Sequence, residues 1–124
     1  MPPAYVVHFE IPVADLDRAT TFYEAVFDLA LERRDVDGYT MAFFPRGDGH
    51  PGTAGALAAG DVYVPGRQGP ILYFDVPDID AVLDRAQALG APVLYPKTAI
   101  GPLGYVAEFG DSEGNRIALT QAPN

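Results

Sequence analysis

The sequence predicts an α+β fold of two βαβββ modules whose curved mixed sheets form a cleft. Two observations predict it: a repeated unit of apolar strand, turn, Asp and amphipathic helix, and a run of short strand patterns after each helix. One helix covers only one face of a four-stranded sheet, so the uncovered faces of two modules are expected to enclose a shared cleft. The 124 residues suit a single domain, with module one at about 4–60, a linker at about 61–69 and module two at about 70–122.

The repeat is seen when residues 13–17 are aligned with residues 76–80. Asp15 and Asp78 then occupy equivalent positions, each just before an apolar stripe with three- and four-residue spacing, where a helix N-cap belongs. The spacing predicts helices at about 15–28 and 78–90, the second closed by Gly90.

Three strand patterns follow each helix, and the last two in the chain flank the turn sequence "GDSEGN". A three-residue hairpin loop would pair Glu108 with Ala118 and place both on the cleft face, whereas a two-residue loop would shift the register. The sequence leaves this register open.

Composition and charge restrict the partners of the chain. The net charge is −9 and the eight Lys and Arg residues are scattered, so neither nucleic acid nor an acidic membrane surface is an expected partner. There is no Cys, and neither a secretory signal pattern nor an apolar run of transmembrane length is seen, so a cytoplasmic location is expected. A small-molecule ligand and a homodimer are the expected partners.

The first strand should direct a polar pair into the cleft. Alternation places His8 and Glu10 on one face and Phe9 and Ile11 on the other, which should pack on the helices. His8 is then either a ligand anchor or acid–base group, or a structural histidine held by a carboxylate or a tyrosine. The other histidine, His50, is expected in a surface loop.

Module two should present a matching face. Tyr73 lies where Glu10 lies in module one, and a tyrosine hydroxyl in a cleft suits hydrogen bonding to a ligand. The predicted ligand-binding residues are His8, Glu10, Tyr73, Ala118 and Glu108.

Three segments carry a resemblance to a known family: "VHFEIPVADLDRATTFYEAVFDL", "YFDVPDIDAVLDRAQALGAPV" and "FGDSEGNRIAL". They resemble the vicinal oxygen chelate superfamily of glyoxalase I, bleomycin-resistance proteins and extradiol dioxygenases. The third is similar to that family's Asp-Pro-x-Gly-Asn hairpin, with Ser112 in place of Pro. The resemblance covers nearly the whole chain, and it implies the two-module fold and a homodimer.

The resemblance also implies where metal ligands would lie: early in the first strand of each module and on its last strand. His8 matches the first-strand position of module one, but the first-strand position of module two is Ile71, which cannot bind a metal. On the last strands, module two has Ala118, and the stretch "GTAGALAAG" of module one holds no acid or histidine. Neither a metal nor any other cofactor is therefore expected.

The favoured prediction is a glyoxalase/bleomycin-resistance-like protein that binds a small organic molecule without a metal. The alternative is a divergent glyoxalase-class lyase or other enzyme that uses His8 and Glu10 as an acid–base pair or residual metal site. A third hypothesis is a structural or regulatory dimer without a ligand. The sequence does not decide between enzyme and binder, name the ligand, or say whether one chain or two form the cleft.

Overall fold

A computed structural model describes residues 3–46 and 54–124. The predicted position of His50 lies outside the described residues. Module one consists of β1 (His8–Pro12), α1 (Leu16–Phe27), β2 (Glu32–Val36), β3 (Tyr39–Phe43) and β4 (Ala54–Ala58). Module two consists of β5 (Tyr73–Asp75), α2 (Ile79–Ala88), β6 (Val93–Ala99), β7 (Tyr105–Gly110) and β8 (Arg116–Gln121).

The two helices lie where the spacing predicts them. The Asp15 carboxylate accepts a hydrogen bond from the Arg18 amide at 3.0 Å, and Asp78 accepts one from the Ala81 amide at 3.2 Å. Both aspartates are therefore N-caps. Gly90 follows the end of α2 with φ +86°, the left-handed conformation that glycine adopts without strain. No helix in the described part of the chain is long and apolar enough to cross a membrane.

Both modules build the same four-stranded mixed sheet. The strand orders are β1-β4-β3-β2 and β5-β8-β7-β6. In each sheet the first strand pairs in parallel with the last, and the other pairs are antiparallel. The α+β fold of two βαβββ modules is thus confirmed.

One apolar core joins the two modules. Its members come from the helix-facing sides of both sheets and from both helices. The Phe74 ring of β5 lies 4.9 Å from the Phe27 ring of α1 and 5.8 Å from the Phe9 ring of β1, measured between ring centroids. Side chains at the intervening strand positions therefore point away from the helices, and we call that side of each sheet its cleft face.

The hairpin between β7 and β8 has the longer of the two loops considered. Phe109 pairs with Ile117 and Glu108 with Ala118, and the Asp111 amide donates to the Asn115 carbonyl at 3.0 Å. Three residues, 112–114, form the tip, so Glu108 lies on the cleft face.

The stretch before β7 is mostly strand. β6 continues to Ala99, and only the 3-10 helix Gly101–Leu103 separates it from β7. Lys97 pairs with Asp80, with Nζ 3.1 Å from Oδ2, and its Nζ lies 4.7 Å from the Tyr105 ring centroid. The connection between β6 and β7 is therefore short, residues 100–104.

Candidate functional site

The cleft face of β1 carries an interacting polar pair. His8 Nε2 lies 3.1 Å from Glu10 Oε2, and the two side chains are 44% and 32% exposed. Their neighbours Phe9 and Ile11 pack in the core, so the alternation of β1 fixes the direction of the pair. His8 is held by a carboxylate, which fits both of the roles considered for it.

Tyr63, from the linker, completes this group and was missed by sequence reasoning. Its hydroxyl donates to Glu10 Oε1 at 2.8 Å. The Tyr63 hydrogen bond is the main reason that the pKa of Glu10 is lowered, followed by the contact with His8. The same bond raises the pKa of Tyr63. The only sequence signal was an aromatic residue within a Gly- and Pro-rich linker.

The linker covers part of the cleft face of module one. The Tyr63 ring meets the Tyr39 ring edge-on at 5.4 Å between centroids, and both rings pack on buried Met41, Ala56 and Ala58. The small side chains on β4 let the two rings approach the sheet closely.

The predicted site residues of module two form one row across the sheet. Ala118 pairs with Tyr73 on one side and with Glu108 on the other. Tyr73 is 54% exposed, whereas Ala118 has no exposed surface. Glu108 Oε1 lies 3.3 Å from Nε of Arg116. A ligand that reached Ala118 would first have to displace its neighbours.

A cavity of about 510 Å³ lies between the modules, at the outer edge of β1. Its volume is within the range of small-molecule sites. Of the five predicted site residues, only Glu10 lines it. The other lining residues are Phe9, Ile11, Pro12, Val64, Pro65, Gly66, Gln68, Pro70, Leu72, Asn115, Arg116 and Ile117.

The whole chain was then compared with known proteins. The family model of the Glyoxalase/Bleomycin resistance protein/Dioxygenase superfamily matches residues 5–119. The chain belongs to this superfamily. No curated protein matches it significantly.

Several solved structures share the fold. The chain is similar to TnmS3, an antibiotic binding protein from Streptomyces sp. CB03234, with 27% identity over 98% of each chain and a TM-score of 0.64. It is also similar to the trypanothione-dependent glyoxalase I of Leishmania major, with 22% identity, 96% of this chain and 87% of that chain covered, and a TM-score of 0.71. The fosfomycin resistance protein FosX from Listeria monocytogenes shows 20% identity over 98% and 95% of the two chains, with a TM-score of 0.68.

The described side chains offer few metal donors at the positions where the resemblance implies ligands. Among residues 3–46 and 54–124, no three His, Cys, Asp or Glu side chains are grouped so that they could hold one. His8 and Glu10 supply two donors, whereas Ile71, the equivalent of His8 in module two, and Ala118, on the last strand of that module, supply none. A protein metal site normally needs at least three such donors.

Proposed function

We propose that this protein binds a small organic molecule in the cavity between its modules, at Glu10, without a divalent metal. The observation that carries the proposal is the position of Glu10: this residue lines a cavity of about 510 Å³, and two hydrogen bonds orient its carboxylate. Tyr63 and His8 hold that carboxylate from the cleft side. A pre-oriented acceptor in a mostly apolar cavity is typical of a small-molecule site.

The expected ligand combines an apolar body with a hydrogen-bond donor. Phe9, Leu72 and Ile117 offer apolar surface to the body, and the lowered pKa of Glu10 keeps an anionic acceptor available at neutral pH. The similarity to TnmS3, an antibiotic binding protein, supports a binding role of this kind.

The alternative is an enzyme in which His8 and Glu10 act as an acid–base pair. The 3.1 Å contact between His8 Nε2 and Glu10 Oε2 favours it, since a carboxylate stabilises the imidazolium that forms when His8 accepts a proton. The 44% exposure of the His8 side chain leaves it open to a substrate.

We also propose a homodimer. Large apolar side chains before β1 and in the linker are more than 70% exposed, among them Tyr5, Val7, Val62 and Val64. A second copy would remove such surface from water. A cytoplasmic location and the lack of a nucleic-acid or membrane partner stay predictions from the sequence.

The experiment is a thermal-shift screen of small organic molecules on protein treated with a chelator. Compounds that raise the melting temperature are titrated by calorimetry against wild type, Glu10→Gln and the control Glu32→Gln, which alters an exposed carboxylate on β2. We expect Glu10→Gln to weaken binding at least about tenfold, the cost of one charged hydrogen bond, and Glu32→Gln to have no effect.

Two results would contradict the proposal: binding that needs an added divalent metal, or equal affinities for wild type and Glu10→Gln. The alternative is tested with the same compounds. If the protein is an enzyme, His8→Gln abolishes the conversion of these compounds and leaves their binding intact.

A further inference from the structure

Arg116, the first residue of β8, is an incompletely paired cation in the wall of this cavity. Its Nε is buried, and it makes no hydrogen bond within the described part of the chain. Glu108 Oε1 is 3.3 Å away, but the contact lacks hydrogen-bond geometry. In this side chain only Nε is both buried and without a hydrogen bond, and the side chain as a whole is 38% exposed, so its Nη donors stay open to an acceptor on a bound group.

A second guanidinium lies on the same face of the sheet. Gly110 pairs with Arg116 across the hairpin, and a Cβ on Gly110 would lie 3.8 Å from Nη2 of Arg67. Arg67 forms no ion pair with any residue that the structure describes. The linker is held at this place by the Gly66 amide, which donates to Asn115 Oδ1 at 2.9 Å.

Glu10, the acidic residue that lines the cavity, forms no ion pair with Arg116 or Arg67. Glu10 directs one oxygen to Tyr63 and the other to His8. The cavity thus offers an acceptor that already has partners on one side and a guanidinium with an unused donor on the other. The chain has a net charge of −9 and should repel anions in general. Binding of an anion in the cavity would therefore depend on these local guanidinium donors.

We infer that the ligand of the cavity is an organic acid, whose carboxylate, sulfonate or phosphate pairs with Arg116. The inference rests on the proposed function, because it specifies the ligand of the same site. Guanidinium binds such groups through paired N–H donors, and the apolar body of the acid would pack on Phe9, Leu72 and Ile117.

Two apolar dyes, one anionic and one neutral, test this inference. Anilinonaphthalene sulfonate has an apolar body, one N–H donor and an anionic group, whereas N-phenyl-1-naphthylamine has the same body and donor and no charge. Both are titrated by fluorescence into the purified full chain as wild type, Arg116→Gln, Arg116→Lys and Arg33→Gln. Arg33 is the matched control because it pairs with Asp17 on the helix side of module one and does not line the cavity.

The expected result is a loss of sulfonate dye affinity of about tenfold or more in Arg116→Gln, with partial recovery in Arg116→Lys. The affinity for N-phenyl-1-naphthylamine should be the same in all four proteins, and Arg33→Gln should match wild type for both dyes. Melting temperatures show whether each variant is folded. If Arg116→Gln does not fold, the test is whether Arg116→Lys binds the sulfonate dye more weakly than wild type does.

The outcomes separate the inference from the proposed function. If both dyes bind wild type and Arg116→Gln with equal affinity, or if Arg33→Gln loses as much sulfonate dye affinity as Arg116→Gln, the inference is overturned and the binding role stands. Binding of neither dye to the wild-type protein overturns both.

Discussion

The carboxylate of Glu113 accepts two hydrogen bonds from the guanidinium of Arg18, each 2.8 Å long. Glu113 belongs to the hairpin of module two and Arg18 to α1 of module one. The same carboxylate accepts the amides of Ala14 and Asp15 at 3.0 Å each, at the start of α1. One side chain of the second module therefore caps the helix of the first.

This contact predicts a loss of stability in acid. Hydrogen bonds from Arg18 lower the pKa of Glu113 from 4.5 to about 2. Because the folded-state pKa is depressed, the stabilisation is complete above pH 4.5 and is lost as the pH falls toward 2. Because Arg18 is half-exposed, solvent screens this contact. We therefore expect it to contribute on the order of 2 kcal/mol to the free energy of unfolding.

Urea unfolding between pH 3 and 7 measures this contribution. Glu113→Gln cannot titrate, so the gap in unfolding free energy between wild type and Glu113→Gln should narrow as the pH falls. A gap that stays constant over this range would show that Glu113 is not the group responsible.

A buried contact within the same hairpin gives a second prediction. The Tyr23 hydroxyl donates to Asp111 Oδ2 at 2.6 Å, and both residues are buried. Tyr23→Phe removes a hydrogen bond to a buried carboxylate, which should lower the free energy of unfolding by about 1.5–3 kcal/mol. Tyr105→Phe is the control, because among the described residues its hydroxyl has a single partner, the exposed Asn124 at 3.3 Å. Equal losses in the two variants would contradict this account, and urea unfolding at pH 7 measures both.

The third prediction concerns the charge of Glu10. The hydrogen bond from Tyr63 is the main cause of its lowered pKa, so Tyr63→Phe should raise that pKa. A carbon-detected NMR titration of the Glu10 carboxyl follows the change directly. Tyr39→Phe keeps the neighbouring ring and does not touch Glu10, so its titration should match wild type. An unchanged pKa in Tyr63→Phe would mean that His8 alone holds the carboxylate.

The features that depend on local sequence rules were predicted correctly. The N-caps Asp15 and Asp78 and the alternation around Phe9 and Phe74 depend on nearest neighbours, and the structure has them where they were expected. The pairing of Glu108 with Ala118 depended on one loop length, which the sequence left open.

The candidate site depends on contacts over long sequence separations, which is why most of it was not predicted. Tyr63 reaches Glu10 from a linker whose path no periodicity encodes, and Arg116 and Glu10 meet one cavity from different modules. Ala118 was predicted to be a ligand-binding residue, and in the structure its methyl group has no exposed surface.

The last prediction compares neighbouring residues on opposite faces of β5. Phe74 packs against the rings of Phe9, Phe27 and Phe44 from module one, whereas Tyr73 is 54% exposed on the cleft face. Phe74→Ala should cost about 3–5 kcal/mol of unfolding free energy, because it removes a core ring shared by both modules. Tyr73→Ala should cost less than about 1 kcal/mol, since a half-exposed side chain gives up little buried surface. Thermal and urea unfolding measure both, and a larger loss in Tyr73→Ala would mean that the faces of β5 are reversed.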